Sequence, residues 1–228
     1  TNRILNQMKI DLRLNEIPIH IECFDNSNIQ GSNPVASCIV FKNSKPSKKD
    51  YRHFNIKTVE GPDDYASMEE VVYRRYKRMV NEKSVLPSLI IIDGGKGQLS
   101  SSIKALKKLN LENTIAILGI AKRLEEIFYP NDPIPLYLNK KSETLKVIQQ
   151  MRNEAHRFAI TFHRNKRSKQ ALTSSFDGIP GIGEKTKTTL LKRFKSLKKI
   201  KETSLELLIN EVGESKAKKI KEFLNSMK

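Results

Sequence analysis

The sequence predicts an α/β fold, a mixed sheet with flanking helices, followed by a small all-α domain. Three observations predict it. Strand-like alternation dominates the stretch up to residue 56; helix-period and unbroken apolar segments then alternate up to residue 164; and from residue 172 onward the chain is lysine-rich and punctuated by glycine. A chain of 228 residues is long enough for two cores of this kind.

Residues 1–16 form a lead-in segment. Ile17, Ile19, Ile21 and Cys23 then alternate with polar residues, the period of a strand with one buried face, and Asp25 falls on that face. Val35 to Phe41 and Tyr51 to Ile56 read as two more strands, joined by short polar segments that turn the chain back, so the first three strands form a meander. After Pro62-Asp63-Asp64, the residues Tyr65, Met68, Val72, Tyr76 and Met79 recur every three or four positions and mark an amphipathic helix. Leu89 to Ile92 is an unbroken apolar run ending at Asp93, which suits a parallel strand covered on both faces. A helix over Leu99 to Leu109 and an apolar run over Ile115 to Ile120 complete a βββαβαβ order. Thr144 to Arg164 predicts a long helix with Leu145, Ile148, Met151, Ala155, Phe158 and Phe162 as its stripe. The first domain is therefore placed at 17–164, an aperiodic basic linker at 165–171, and a helical module at 172–228.

Charge narrows the function. Lys and Arg total 42 against 25 Asp and Glu, a formal +17, which points to a polyanionic partner; a merely lysine-solvated surface is the plain alternative. Cys23 and Cys38 are too few for a disulfide framework and lack the clustering of a zinc site, so a reducing cytoplasm is expected. No apolar run reaches the length of a membrane span, and the first residues lack a secretory core. The chain opens on Thr1 without an initiating Met, as either a piece of a longer protein or a processed chain would.

The chemistry follows from strand ends. With the first strand beside and parallel to the fourth, Asp25 and Asp93 share the carboxyl edge of the sheet, where open sheets place ligands. Carboxylates on strands about 4.8 Å apart repel unless a cation neutralises them, and hard oxygen donors select Mg2+ or Mn2+. Each position also admits a plain structural role: Asp25 as a turn former, Asp64 as a first-turn acid on a helix dipole, His156 as a half-buried histidine at the edge of its stripe. The turn Asp93-Gly94-Gly95-Lys96 brings glycine backbone to a helix start but lacks Walker spacing, and Lys96 suits either a nucleic-acid phosphate or plain solvent.

Four runs together, IECFDNSNIQG (21–31), GPDDYASMEEVVYRRY (61–76), LIIIDGGKGQL (89–99) and RNEAHRFAITFHR (152–164), closely resemble the C-terminal half of the UvrC family, the incision subunits of bacterial nucleotide excision repair. The resemblance implies a ribonuclease H-like endonuclease domain that cuts 5′ to a lesion with Asp25, Asp64, Asp93 and His156 as catalytic and Mg2+- or Mn2+-holding residues. Asp64 and His156 enter on the family alone. It also implies a GIY-YIG module for the 3′ cut and a UvrB-contacting region upstream, both outside this chain, and a monomeric fragment.

Gly178-Ile179-Pro180-Gly181-Ile182-Gly183 followed by Glu184 to Phe194 resembles a helix-hairpin-helix motif, whose glycines open backbone N–H groups at a helix start to a phosphate. The family carries two in tandem. The second, around Gly213, has Glu211 where a glycine is expected, so DNA contacts are assigned to Lys96, Gly181, Ile182, Gly183, Lys185 and Gly213 with the first hairpin leading. Binding to duplex, bubble or junction DNA is expected to follow structure rather than base sequence. A non-catalytic DNA-binding or scaffolding protein on the same fold is the alternative, and an enzyme for small phosphate esters fits the basic surplus less well.

Overall fold

The computed structural model describes residues 2–27, 34–121 and 125–226, with no side-chain placement at 27, 164, 166–169 and 171. The turn expected just after Asp25 runs into positions 28–33, which lie outside the described residues. The fold divides into two compact units, 1–160 and 161–228.

Unit 1 is built on a seven-stranded mixed sheet in the order β3-β2-β1-β5-β6-β7, with β4 paired to β2. Its strands are β1 (His20–Ser27), β2 (Val35–Lys42), β3 (Lys45–Pro46), β4 (Arg52–Asn55), β5 (Leu89–Asp93), β6 (Ala116–Ala121) and β7 (Glu126–Phe128). The meander is present: β1 pairs antiparallel with β2, and β2 with β4. The parallel pairing expected from the apolar runs is also present, in the register Ile21↔Leu89 through Phe24↔Ile92, and β6 follows parallel to β5. The short strands β3 and β7 carry too few residues for a periodic signal and were not anticipated.

Helices α2 (Asp64–Asn81) and α3 (Lys96–Lys107) pack together on one face of the sheet. The other face is covered by α4 (Glu143–Phe176), alongside which lies α1 (Asn2–Asp11), tied to it by Arg3–Glu143 at 2.7 Å and by Thr144 Oγ1 donating to Asp11 at 2.5 Å. The lead-in segment is thus a core helix, because Leu5, Met8 and Leu12 are buried. Two further expectations change. The first strand begins at His20, leaving Ile17 and Ile19 exposed, and it is buried on both faces from Ile21 to Asp25 because α2 covers what the alternation marked as a solvent face. Residues 165–171 are helical, not an irregular linker: polar residues sustain a helix without an apolar stripe when their neighbours in α4 already fix its phase.

Unit 2 holds the end of α4 and four more helices: α5 (Glu184–Phe194), α6 (Leu197–Glu202), α7 (Leu205–Val212) and α8 (Glu214–Ser226). Leu172, Phe176, Ile179, Ile182, Leu190, Ile200, Leu208, Ala217, Ile220 and Leu224 form its core.

Candidate active site

Asp25 and Asp93 occupy the carboxyl ends of β1 and β5, one register step beyond the paired Phe24 and Ile92. Asp25 is 1% exposed and Asp93 7%. Their fields converge inside the sheet: burial pushes the Cys23 thiol well above its ordinary value, and the charges of Asp93 and then Asp25 push it further.

Helix α4 lays an imidazole and a guanidinium over these acids. His156 Nδ1 lies 3.4 Å from Asp25 Oδ2, and one helical turn earlier Arg152 Nε lies 3.2 Å from Asp93 Oδ1. The His156 side chain is 54% exposed, so it faces solvent while touching a buried carboxylate. The register of α4 is set by the sheet beneath it. Ser37, paired across from Asp25, donates its hydroxyl to Ala155 O at 3.0 Å, and His53 Nε2 meets Phe158 O at 2.9 Å while its ring stacks on Phe158 with centroids 3.6 Å apart. Arg152, Ser37 and His53 escaped the sequence reading. A helix arginine and two strand polar residues carry no signal until their distant partners are known.

Asp64 is the first residue of α2, directly after Asp63, whose carboxylate caps the helix by accepting from Tyr65 N at 3.0 Å and Ala66 N at 2.9 Å. Its backbone is brought to the site by Asn26, which donates to Asp64 O at 2.9 Å, and by Tyr65, whose ring lies so close to Gly97 in α3 that a Cβ there would come within 2.3 Å of it. The Asp64 carboxylate itself is exposed. Among the described residues no three of His, Cys, Asp and Glu meet as a metal-holding group. The donor set nonetheless suits a hard divalent ion, with two buried carboxylates at adjacent strand ends, a third acid on the neighbouring helix start and an imidazole opposite.

Lys96, read as facing either a phosphate or solvent, is exposed; its ammonium donates to Pro133 O at 2.8 Å and lies 5.2 Å from the centre of the Phe128 ring. The glycine turn gives α3 its start, with Gly95 as the cap.

In unit 2 the first hairpin, 178–183, joins α4 to α5, with Gly181 at φ +89° and Gly183 as the α5 cap. Only glycine takes that φ without strain. Lys187, a buried lysine the sequence reading missed, braces this turn by pairing with Asp177 and with Glu184 at 3.0 Å. Lys185 is exposed, whereas the Ile182 side chain is packed in the core, leaving only its backbone for contact. At the second hairpin Gly213 has φ +87°, and Glu211 bonds Arg193 of α5 at 3.0 Å. The departing acid thus ties α7 to α5.

A mixed sheet with acids at adjacent strand ends, followed by a hairpin-linked helical unit, defines a ribonuclease H-like domain joined to a helix-hairpin-helix domain. The family model for the UvrC RNase H endonuclease domain matches residues 9–160, and that for the helix-hairpin-helix motif matches residues 176–228. The chain belongs to the UvrC family. It is 69% identical over 226 residues to UvrABC system protein C of Flavobacterium psychrophilum, covering 99% of this chain and 38% of that protein. The corresponding proteins of Christiangramia forsetii (99% and 38% covered) and Porphyromonas gingivalis strain W83 (97% and 37%) are 70% and 58% identical. The chain therefore spans somewhat over a third of the length of these relatives. Among solved structures, a DNA complex of Ciona intestinalis endonuclease V gives a TM-score of 0.35 at 15% identity, covering 67% of this chain and 66% of that one, a likeness too distant to add to the argument.

Proposed function

We propose that this chain is a metal-dependent endodeoxyribonuclease that makes the 5′ incision beside a lesion in nucleotide excision repair, and that its C-terminal helices grip the DNA. The observation that carries the reading is the pair of buried carboxylates, Asp25 and Asp93, at the ends of adjacent parallel strands. Asp25 and Asp93 would hold Mg2+ or Mn2+, with Asp64 completing or orienting the set. When bound, the ion supplies Lewis-acid stabilisation of phosphoryl charge and an acidified water. His156, steadied through Nδ1 by Asp25, either joins the ligands or moves a proton between the attacking water and the departing 3′ oxygen.

The first hairpin offers the backbone around Gly181 and Gly183, beside exposed Lys185, to a phosphate of bubble or junction DNA. The second mainly completes the fold. Among the described residues no helix is long and apolar enough to cross a membrane. The family membership supports work in the cytoplasm beside UvrB-bound DNA.

The test is nicking of supercoiled plasmid with Mn2+, with and without EDTA, by wild type and Asp93→Asn. Ligand-assisted phosphoryl stabilisation is worth several kcal/mol, so the variant should lose about a thousandfold or more in rate while keeping its fold and DNA affinity. Metal-independent nicking, or a fully active variant, contradicts the metal-site reading, and a folded wild type that binds DNA but does not nick with Mn2+ favours a DNA-binding role alone.

A further inference from the structure

Buried carboxylates at neighbouring strand ends need positive charge close by whether or not an ion is bound, because ionised oxygens removed from water are costly unless compensated. In the structure Arg152 contributes that charge to Asp93, with side chains 14% and 2% exposed. The contact is a single one, through Nε at 3.2 Å, and not the two-point fork that Arg75 makes with Glu22 elsewhere in the unit. A one-point contact is the more easily given up. Arg152 also lies one turn from His156 on the same helix, so a side-chain rotation suffices to withdraw it while α4 stays seated on Ser37 and His53.

We propose that Arg152 is an exchangeable counter-charge: it holds Asp93 in the ion-free protein, is displaced when a divalent cation enters, and is then available to a DNA phosphodiester. This rests on the metal-site reading above. A guanidinium and a divalent ion cannot both occupy the same face of one carboxylate at low cost, so each weakens the other's hold by the same factor. If the pairing is formed about nine-tenths of the time, apparent ion affinity falls about tenfold. Released, the planar fork of an arginine suits two phosphate oxygens, which would couple ion entry to DNA engagement.

The experiment is a Mn2+ titration without DNA, read by electron paramagnetic resonance of free Mn2+, on wild type, Arg152→Gln, Arg152→Lys and Asp93→Asn, together with melting curves with and without Mn2+. Arg152→Gln should bind Mn2+ roughly tenfold more tightly than wild type. It should also melt lower without the ion and recover more on adding it. Arg152→Lys keeps the charge and should stay near wild-type affinity, which covers the case of a Gln variant that folds poorly. Unchanged or weaker Mn2+ binding in a folded Arg152→Gln protein overturns the exchange and leaves Arg152 structural. Mn2+ binding that Asp93→Asn does not reduce overturns the metal-site reading instead, and the two failures are thereby distinguished.

Discussion

Strand β1 carries a buried carboxylate on each face, and the two are kept in opposite ways. Toward α2, Glu22 is saturated: Arg75 grips it at 3.1 and 2.5 Å, Tyr76 donates its hydroxyl at 2.9 Å, and His20 lies 3.3 Å away. Burial alone would raise the Glu22 carboxyl, yet the nearby His20 ring and the hydrogen bonds and charge of Arg75 bring it down to about 2. Toward α4, Asp25 and Asp93 also meet a histidine and an arginine, at the longer distances of 3.4 and 3.2 Å. The difference teaches that the Glu22 cluster is a fastener, whereas the Arg152–Asp93 contact, with its single point and longer reach, is the one suited to the exchange proposed above.

That contrast can be broken or sharpened by experiment. The largest effect on stability should come from Arg75→Met, which strands a fully buried charge at Glu22 and should cost about 3–5 kcal/mol in urea unfolding, with nicking per folded molecule unchanged. A cost below about 1 kcal/mol would mean that Glu22 is not fastened as described.

Acid should reveal the same fastening. A carboxyl lowered from its ordinary 4.5 to about 2 stabilises the fold fully above pH 4.5, and the contribution disappears as pH falls through about 2. It is worth up to roughly 3 kcal/mol. Stability measured from neutral pH down to the acid limit should show that loss in wild type but not in Glu22→Gln, and parallel curves would remove the carboxyl from the account.

His156→Ala should act in the reverse sense to Arg75→Met. With a half-exposed ring it should shift stability by less than about 0.5 kcal/mol. Nicking, by contrast, should slow about a hundredfold. An active, unstable variant would make this side of the strand a fastener as well.

Much of the sheet was legible because its signals are local. The apolar run 89–92 ending in an acid, and the alternation leading to Asp25, suffice to place both carboxylates at one edge of a parallel pair. Asp64 and His156 were not legible that way: one begins a helix like many first-turn acids, and the other lies at the border of an apolar stripe. The family resemblance supplied both. The alternation also misled, since Glu22 looked like a solvent-facing residue; its partners Arg75 and Tyr76 lie 53 and 54 positions further on. The helix at Asn2–Asp11 went unread because only two residues of this short polar segment, Leu5 and Met8, are buried.

The opposed carboxylates of β1 bear on how the chain finds its pairing. β1 must join β5 in parallel across the intervening β2, β3, β4 and α2, a contact distant in sequence. A slip by one residue exchanges the faces. Glu22 would then confront α4 without Arg75, and Asp25 would confront α2. The ion pair on the α2 side thus weighs against that slipped register, because the slip would leave Glu22 buried without its guanidinium.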